Sequence, residues 1–422
     1  MKRTIYKRLF AIFCVLLIFS QIGHVAVNYH LQQKESEGAD AIVKEPDKLT
    51  LWYTDDKLSA YLVEAAAEFE EQHPVEVTLQ LVTAVDYIEN INTASISDLG
   101  GPELFITSSE LLEKARLAGL AVENDSFSQR ELEKDLPQKA QDAATCGGKL
   151  MAYPFYFETC FLLYNQNYTD AAPATIDDIL AYSDSFEGGE ETEKVETIFK
   201  WNVADIFYDF FFISNYVNLG GATGDHPEEV DLSAPEIRQC LEYYQSLNAF
   251  FAIDADAVTT DSVLQEFIDG KIVYTIAKTD AIARLDESEI AGSYGIAEVP
   301  NLTEDLKTRG LSVTNSVVVN AYSKERELAK EFARYLTYDK VDDLYSMANK
   351  MPVKLGVEYE NAQMQTLFAQ YENSLEVPKL TVLSNYWIEM EISFSNIWKG
   401  NDVRTEMGTV TEKIQRQLQT EE

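Results

Sequence analysis

At 422 residues the chain exceeds what one hydrophobic core usually supports, so two lobes of roughly 150 to 200 residues each are expected. A hydrophobic fraction of 46% excludes global disorder. The formal net charge of -37 excludes nucleic acid as a partner, since that binding relies on clustered Lys and Arg to replace counterions.

Four cysteines are too few for a disulfide scaffold, and Cys14 falls in an apolar leader. Cys146, Cys160 and Cys240 fit no zinc spacing, and Cys160 and Cys240 read as small core residues. Of the four histidines, His24 and His30 belong to or adjoin the leader. His73 and His226 alone make no histidine-based metal site or catalytic triad, so no cofactor, metal or catalytic residue is expected.

The chain opens with Lys2, Arg3, Lys7 and Arg8, followed by a long apolar run. That order is one of a signal peptide or signal anchor over 1–31. Phe13 before Cys14 argues against lipidation there, and Val27 spoils a small-x-small cleavage site. The apolar stretch 9–27 approaches the ~20 residues that span a bilayer, so an uncleaved anchor on the outer face of the membrane is favoured over secretion. Residues 32–48 are too polar to pack and read as a tether.

LTLWYT begins a strand-helix unit, with Leu58, Tyr61, Leu62, Ala65 and Phe69 at helical spacing behind it. Pro74 ends that helix, and VEVTLQLV sets Val75, Val77, Leu79 and Leu81 on one face of a second strand before a helix around 86–97. PELFIT is a third strand, after which Ser108 or Ser109 can cap a helix ended by Gly119. Gly147 and Gly148 mark a turn into LMAYPF rather than a phosphate loop. Thr175 to Asp178 and Ser233 to Glu236 both resemble capping boxes. The acidic run between them, EGGEETEKVET, reads as a solvated loop. Gly270 closes a helix ahead of the strand KIVYTIA, SVVVNA is a later strand, and 403–418 has a final helical apolar stripe. Repeated strand-helix alternation implies an α/β fold built on parallel sheets flanked by helices.

In order and spacing, LTLWYTDD, PELFITSS, YPFYFET, FIDGKIVYTIA and AYSKERELAKEFARYLT resemble bacterial extracellular solute-binding proteins of the sugar class, the family of maltose-binding protein. The resemblance implies a two-lobed, type II periplasmic-binding-protein-like fold with the ligand cleft between lobes. It implies crossings between lobes near 156–159, 312–316 and 351–355. The lobes would be 49–157 plus 315–352 and 158–314 plus 353–422. It further implies a monomer that captures a sugar or short oligosaccharide by hinge closure, without catalysis, and hands it to the permease subunits of an ABC importer.

The loops at the carboxyl ends of strands expose side chains to such a cleft. Asp56 and Lys57 match an Asp-Lys pair of maltose-binding protein, Glu158 matches a ligand-contacting glutamate at the first crossing, and Trp387 matches a stacking tryptophan. Tyr156 joins Glu158 there, while Asp205 and Tyr208 fall near an acidic-aromatic contact segment. Other positions depart from the family. Lys278 and Asp280 stand where a tryptophan follows the YTIA strand, Ser109 and Glu110 replace an Asp-Arg pair, Ile106 replaces a further tryptophan, and Asn315 lies where a Gly-Gly-Trp-Gly stretch is frequent. Fewer aromatic platforms imply a shorter or more polar ligand than a long maltodextrin. An exported glycoside hydrolase, which needs two carboxyl groups flanking the scissile bond, and a sensory protein that keeps the binding fold without transport are the alternatives.

Overall fold

The computed structural model describes residues 47–97, 100–189, 192–359 and 361–419. The leader and nearly all of the tether lie outside them, and the first strand begins at Asp47, two residues before the expected start. In chain order the strands are β1 Asp47–Tyr53, β2 Val75–Leu81, β3 Leu104–Ser108, β4 Thr145–Cys146, β5 Lys149–Leu150 and β6 Tyr153–Asn165. They continue with β7 Thr197–Phe199, β8 Ile272–Lys278, β9 Tyr294–Ala297, β10 Leu311–Val319, β11 Met351–Pro352 and β12 Leu375–Glu376.

The first βαβ unit forms as its periodicity requires. Helix Ser59–Gln72 buries Tyr61, Leu62, Ala65 and Phe69, and it returns the chain so that β1 and β2 pair in parallel from Asp47↔Val75 to Tyr53↔Leu81. The apolar face expected of β2 is only partly covered: Val75 is buried, Val77 and Leu79 are half-buried, and Leu81 is exposed. β2 is the edge strand, and cover fades along it. On the other side β1 pairs in parallel with β3.

The main sheet runs β2-β1-β3-β10-β6-β8-β7, with β11 and β9 on β6 and β12 on β10. Its centre is held by β6, thirteen residues of YPFYFETCFLLYN with burial on both faces. Such a mostly apolar run, broken at Glu158 and Thr159, is what a strand covered on two sides needs, and each fully buried Phe or Leu contributes about 1.5–3 kcal/mol. β6 changes partners midway. Residues up to Thr159 pair antiparallel with β10 and β11, and residues from Cys160 pair with β8 and β9. β10 in turn pairs with β3, β6 and β12, and its ladder with β6 carries an irregularity between Asn315 and Ser316. Such a bulge re-aims the side chains beside it.

Two large apolar clusters flank this seam. One gathers Leu51, Tyr61, Phe69, Phe155, Val317 and Phe332; the other is rich in aromatics, including Phe199, Trp201, Phe212, Tyr244 and Trp398. Cys160 and Cys240 are free and buried, as expected for core residues, and so is Cys146. Thr175 and Asp178 form a reciprocal capping box. The second expected box does not form. Helix Pro235–Phe251 starts on Pro235 with Ala234 at its cap, and the Ser233 N–H is taken by Asp231 Oδ1 at 2.8 Å. Proline fits the first helical position because it has no N–H to satisfy and its φ is already helical.

Candidate functional site

A cavity of about 450 Å³ opens where the loop after β1, the end of β8 and the segment before β11 converge. Lys57, Tyr208, Lys278 and Asp280 line it, and they are four of the residues expected from sequence. Asn202, Thr260, Arg284 and the stretch Met347, Ala348 and Asn349 complete much of the wall. Asn349 ends helix Leu344–Ala348 in the left-handed region at φ 53, a conformation that asparagine tolerates better than most residues.

Local structure explains how these side chains are held. Asp205 caps the short helix Ile206–Asp209 by accepting from the Phe207 N–H at 2.9 Å. That start presents Phe207 and Tyr208 to Lys278, whose Nζ lies 5.3 Å and 5.8 Å from their ring centroids. Tyr208 is 1% exposed, and its hydroxyl makes no hydrogen bond among the described residues, although Thr260 lies beside it. Burial pushes the phenol up well beyond its ordinary range.

Next to the cavity, Lys350 is buried between two carboxylates. Its Nζ lies 2.6 Å from Asp55 Oδ2 and 2.9 Å from Glu158 Oε1, and 5.2 Å from the Tyr156 ring centroid. Burial alone would lower its pKa; Glu158 and Asp55 outweigh that and hold it above the usual lysine value. Tyr156 itself is buried, and burial beside Glu158 and Asp55 raises its phenol far above the ordinary range. Sequence reasoning missed Lys350, although its place directly before the expected crossing at 351–355 was a usable signal. Asp56 is exposed, and its neighbour Asp55 makes both the turn and the ion pair.

The remaining residues stand apart from the cavity wall. Ser109 is 1% exposed, and its hydroxyl donates to Glu376 Oε1 at 2.7 Å. Glu376 also accepts from Ser312 Oγ and the Thr314 N–H, which ties the loop after β3 to β10 and β12. Glu110 reaches solvent, yet the protein around it pushes its carboxyl up. Asn315 is half-buried at the irregularity of β10, opposite Tyr156 and Ser108. Trp387 is half-buried on helix Tyr386–Trp398, edge-on to Phe210 at 5.0 Å and to Tyr386 at 5.1 Å. One partly exposed tryptophan face of this kind suits the apolar side of a small amphipathic molecule.

The chain is similar to known proteins along most of its length. The family model described as bacterial extracellular solute-binding protein matches residues 64–366. A maltotriose-binding protein of Pyrococcus abyssi is 21% identical over 259 residues, 59% of this chain and 54% of that relative, so the chain spans about half of it. A maltooligosaccharide ABC transporter solute-binding lipoprotein of Streptococcus pneumoniae is 21% identical over 83% of both chains. A diacetylchitobiose binding protein of Streptomyces coelicolor is 26% identical over 74% of both. Among solved structures, the extracellular solute-binding protein of Staphylococcus aureus in complex with maltose superposes with a TM-score of 0.77 at 19% identity, covering 89% of this chain and 99% of that one. A cyclo/maltodextrin-binding protein complexed with maltotetraose gives 0.76 at 19% identity, covering 90% and 99%. These superpositions bear out the two-lobed, type II binding-protein fold expected from sequence. With a family model matched across most of its length, the chain belongs to the bacterial extracellular solute-binding proteins.

Proposed function

We propose that this protein captures a sugar or short oligosaccharide in a cleft between two lobes and delivers it to the permease of an ABC importer. The observation that carries the reading is the cavity at the ends of β1 and β8. Its wall combines ammonium, carboxylate, amide and hydroxyl groups with the Tyr208 ring, the mixture that polyhydroxylated rings require. The sugar ligands named for several relatives support it. The lobes are 49–157 plus 315–352 and 158–314 plus 353–422, and the change of partners along β6 at Thr159 and Cys160 supports that boundary. Lys57, Tyr208, Lys278 and Asp280 face the ligand, Asp56, Tyr156, Glu158 and Asp205 border it, and Asn315, Trp387, Ser109 and Glu110 contribute from beyond the cavity wall. The protein binds its solute without catalysis, acts as a monomer, and stays on the outer face of the membrane through its leader.

A thermal-shift screen of mono- and oligosaccharides tests the reading, because ligand that binds only the folded form raises apparent stability by RT ln(1 + [L]/Kd). A saturable upward shift with one saccharide, recovered unchanged, is the expected result. Release of a shorter product would instead establish a hydrolase, and no shift with any saccharide would defeat the sugar assignment. Fractionation with intact-mass analysis tests the anchor: a shortened protein in the medium, or a lipid on Cys14, would overturn it.

A further inference from the structure

Lys350 joins three chain segments beside the cavity: the loop after β1, strand β6 and the entry to β11. Its side chain is 5% exposed, and the titratable groups that face its ammonium are Asp55, Tyr156 and Glu158. The bonds use up Asp55, whose Oδ1 accepts from the Lys57 N–H at 3.1 Å and whose Oδ2 meets Lys350. They use only half of Glu158. Its Oε1 meets Lys350, its Oε2 has no partner among the described residues, and the side chain keeps 28% of its surface exposed. Lys57 and Asn349, close in sequence to Asp55 and Lys350, line the cavity.

We propose that Lys350 is a positioning residue for ligand capture: it holds Asp55 and Glu158 together and presents Glu158 Oε2 as a fixed acceptor for a ligand hydroxyl. The proposal rests on the sugar-binding reading. Breaking a buried pair by removing one partner leaves charge uncompensated. Without the ammonium, two carboxylates share the site, and like charges at close range cannot both stay ionised without cost. At high pH they repel and splay; as pH falls, one shared proton draws them together again.

The test is calorimetric titration with maltose, maltotriose and diacetylchitobiose between pH 5 and 8. The parent should bind at least one of them with an affinity that is flat over this range. Lys350→Met should bind more than tenfold more weakly at pH 8 and recover toward pH 5, and Lys350→Arg should restore the flat profile. A pH-independent affinity in Lys350→Met, whether reduced or not, would overturn the proposal. If Lys350→Met does not fold, the double variant with Asp55→Asn removes one of the two like charges and carries the test. Folding with binding still reduced supports the proposal, and parent-like binding overturns it. A parent that binds no saccharide, in this titration or the wider screen, defeats the sugar reading itself and the proposal with it.

Discussion

Tyr208 carries a hydroxyl that the fold takes out of water without a hydrogen bond from any described residue in return, at the wall of the cavity. An unsatisfied buried polar group costs roughly 1–3 kcal/mol, so Tyr208→Phe should melt at or above the parent temperature. If the hydroxyl is there to meet the ligand, the same variant should bind about tenfold more weakly, the equivalent of about 1.4 kcal/mol. Melting and titration of one variant therefore separate a ligand contact from a packing residue, and unchanged affinity would assign Tyr208 to packing. One residue further on, Asp209 is buried and accepts from Trp201 Nε1–H at 2.7 Å. Burial raises its carboxyl well above the ordinary range, against the opposing bond from Trp201. A carboxyl raised in the folded state contributes its full stability below the unfolded value of about 3.9 and loses it as pH rises through the folded value. Asp209→Asn keeps the acceptor for Trp201 without that loss. The melting temperature of Asp209→Asn relative to the parent should thus be higher at pH 8 than at pH 5. An equal difference at both would remove Asp209 from the pH dependence.

At the scale of elements, two similar sequence patterns met different ends. Thr175→Ala removes a cap whose hydroxyl accepts from the Asp178 N–H at 3.0 Å, and should cost about 1 kcal/mol by denaturant melts. Ser233→Ala, at the pattern that forms no box, should stay within about 0.5 kcal/mol of the parent. Periodicity alone could not tell them apart, because Pro235 moves the helix start by one residue and leaves Ala234 at the cap. The same logic marks what else was legible. The βα units, the buried stripe of Ser59–Gln72 and the near-continuous burial of β6 are written in local spacing. Lys350 meeting Glu158 joins residues 192 apart, and Ser109 meeting Glu376 joins residues 267 apart. Local pattern holds no trace of such pairs. Resemblance placed Lys57, Tyr208, Lys278 and Asp280 in segments that do converge on one cavity. It also offered Ser109 as a ligand contact, whose hydroxyl the structure engages with Glu376.

For the whole molecule, the segments that link the two sides of the sheet decide what motion is available. β6 and β10 run through the seam as continuous strands, and β11 joins it with two residues. If the proposed lobes close on a ligand, these three links are where the chain would bend. A ligand shifts this equilibrium only by its differential affinity for the closed state. In the proposed division Lys57 and Met347 come from one lobe and Tyr208 and Lys278 from the other. A saccharide bridging them would gain its second set of contacts only on closure. Small-angle scattering of the protein with the saccharide found by the thermal screen, at saturating concentration, should therefore show a smaller radius of gyration than the free protein. The Lys350→Met variant at pH 8 should need more saccharide to reach the same compaction. An unchanged scattering profile, with binding established by titration on the same sample, would mean that the ligand enters a cleft already set and that the seam is a rigid joint.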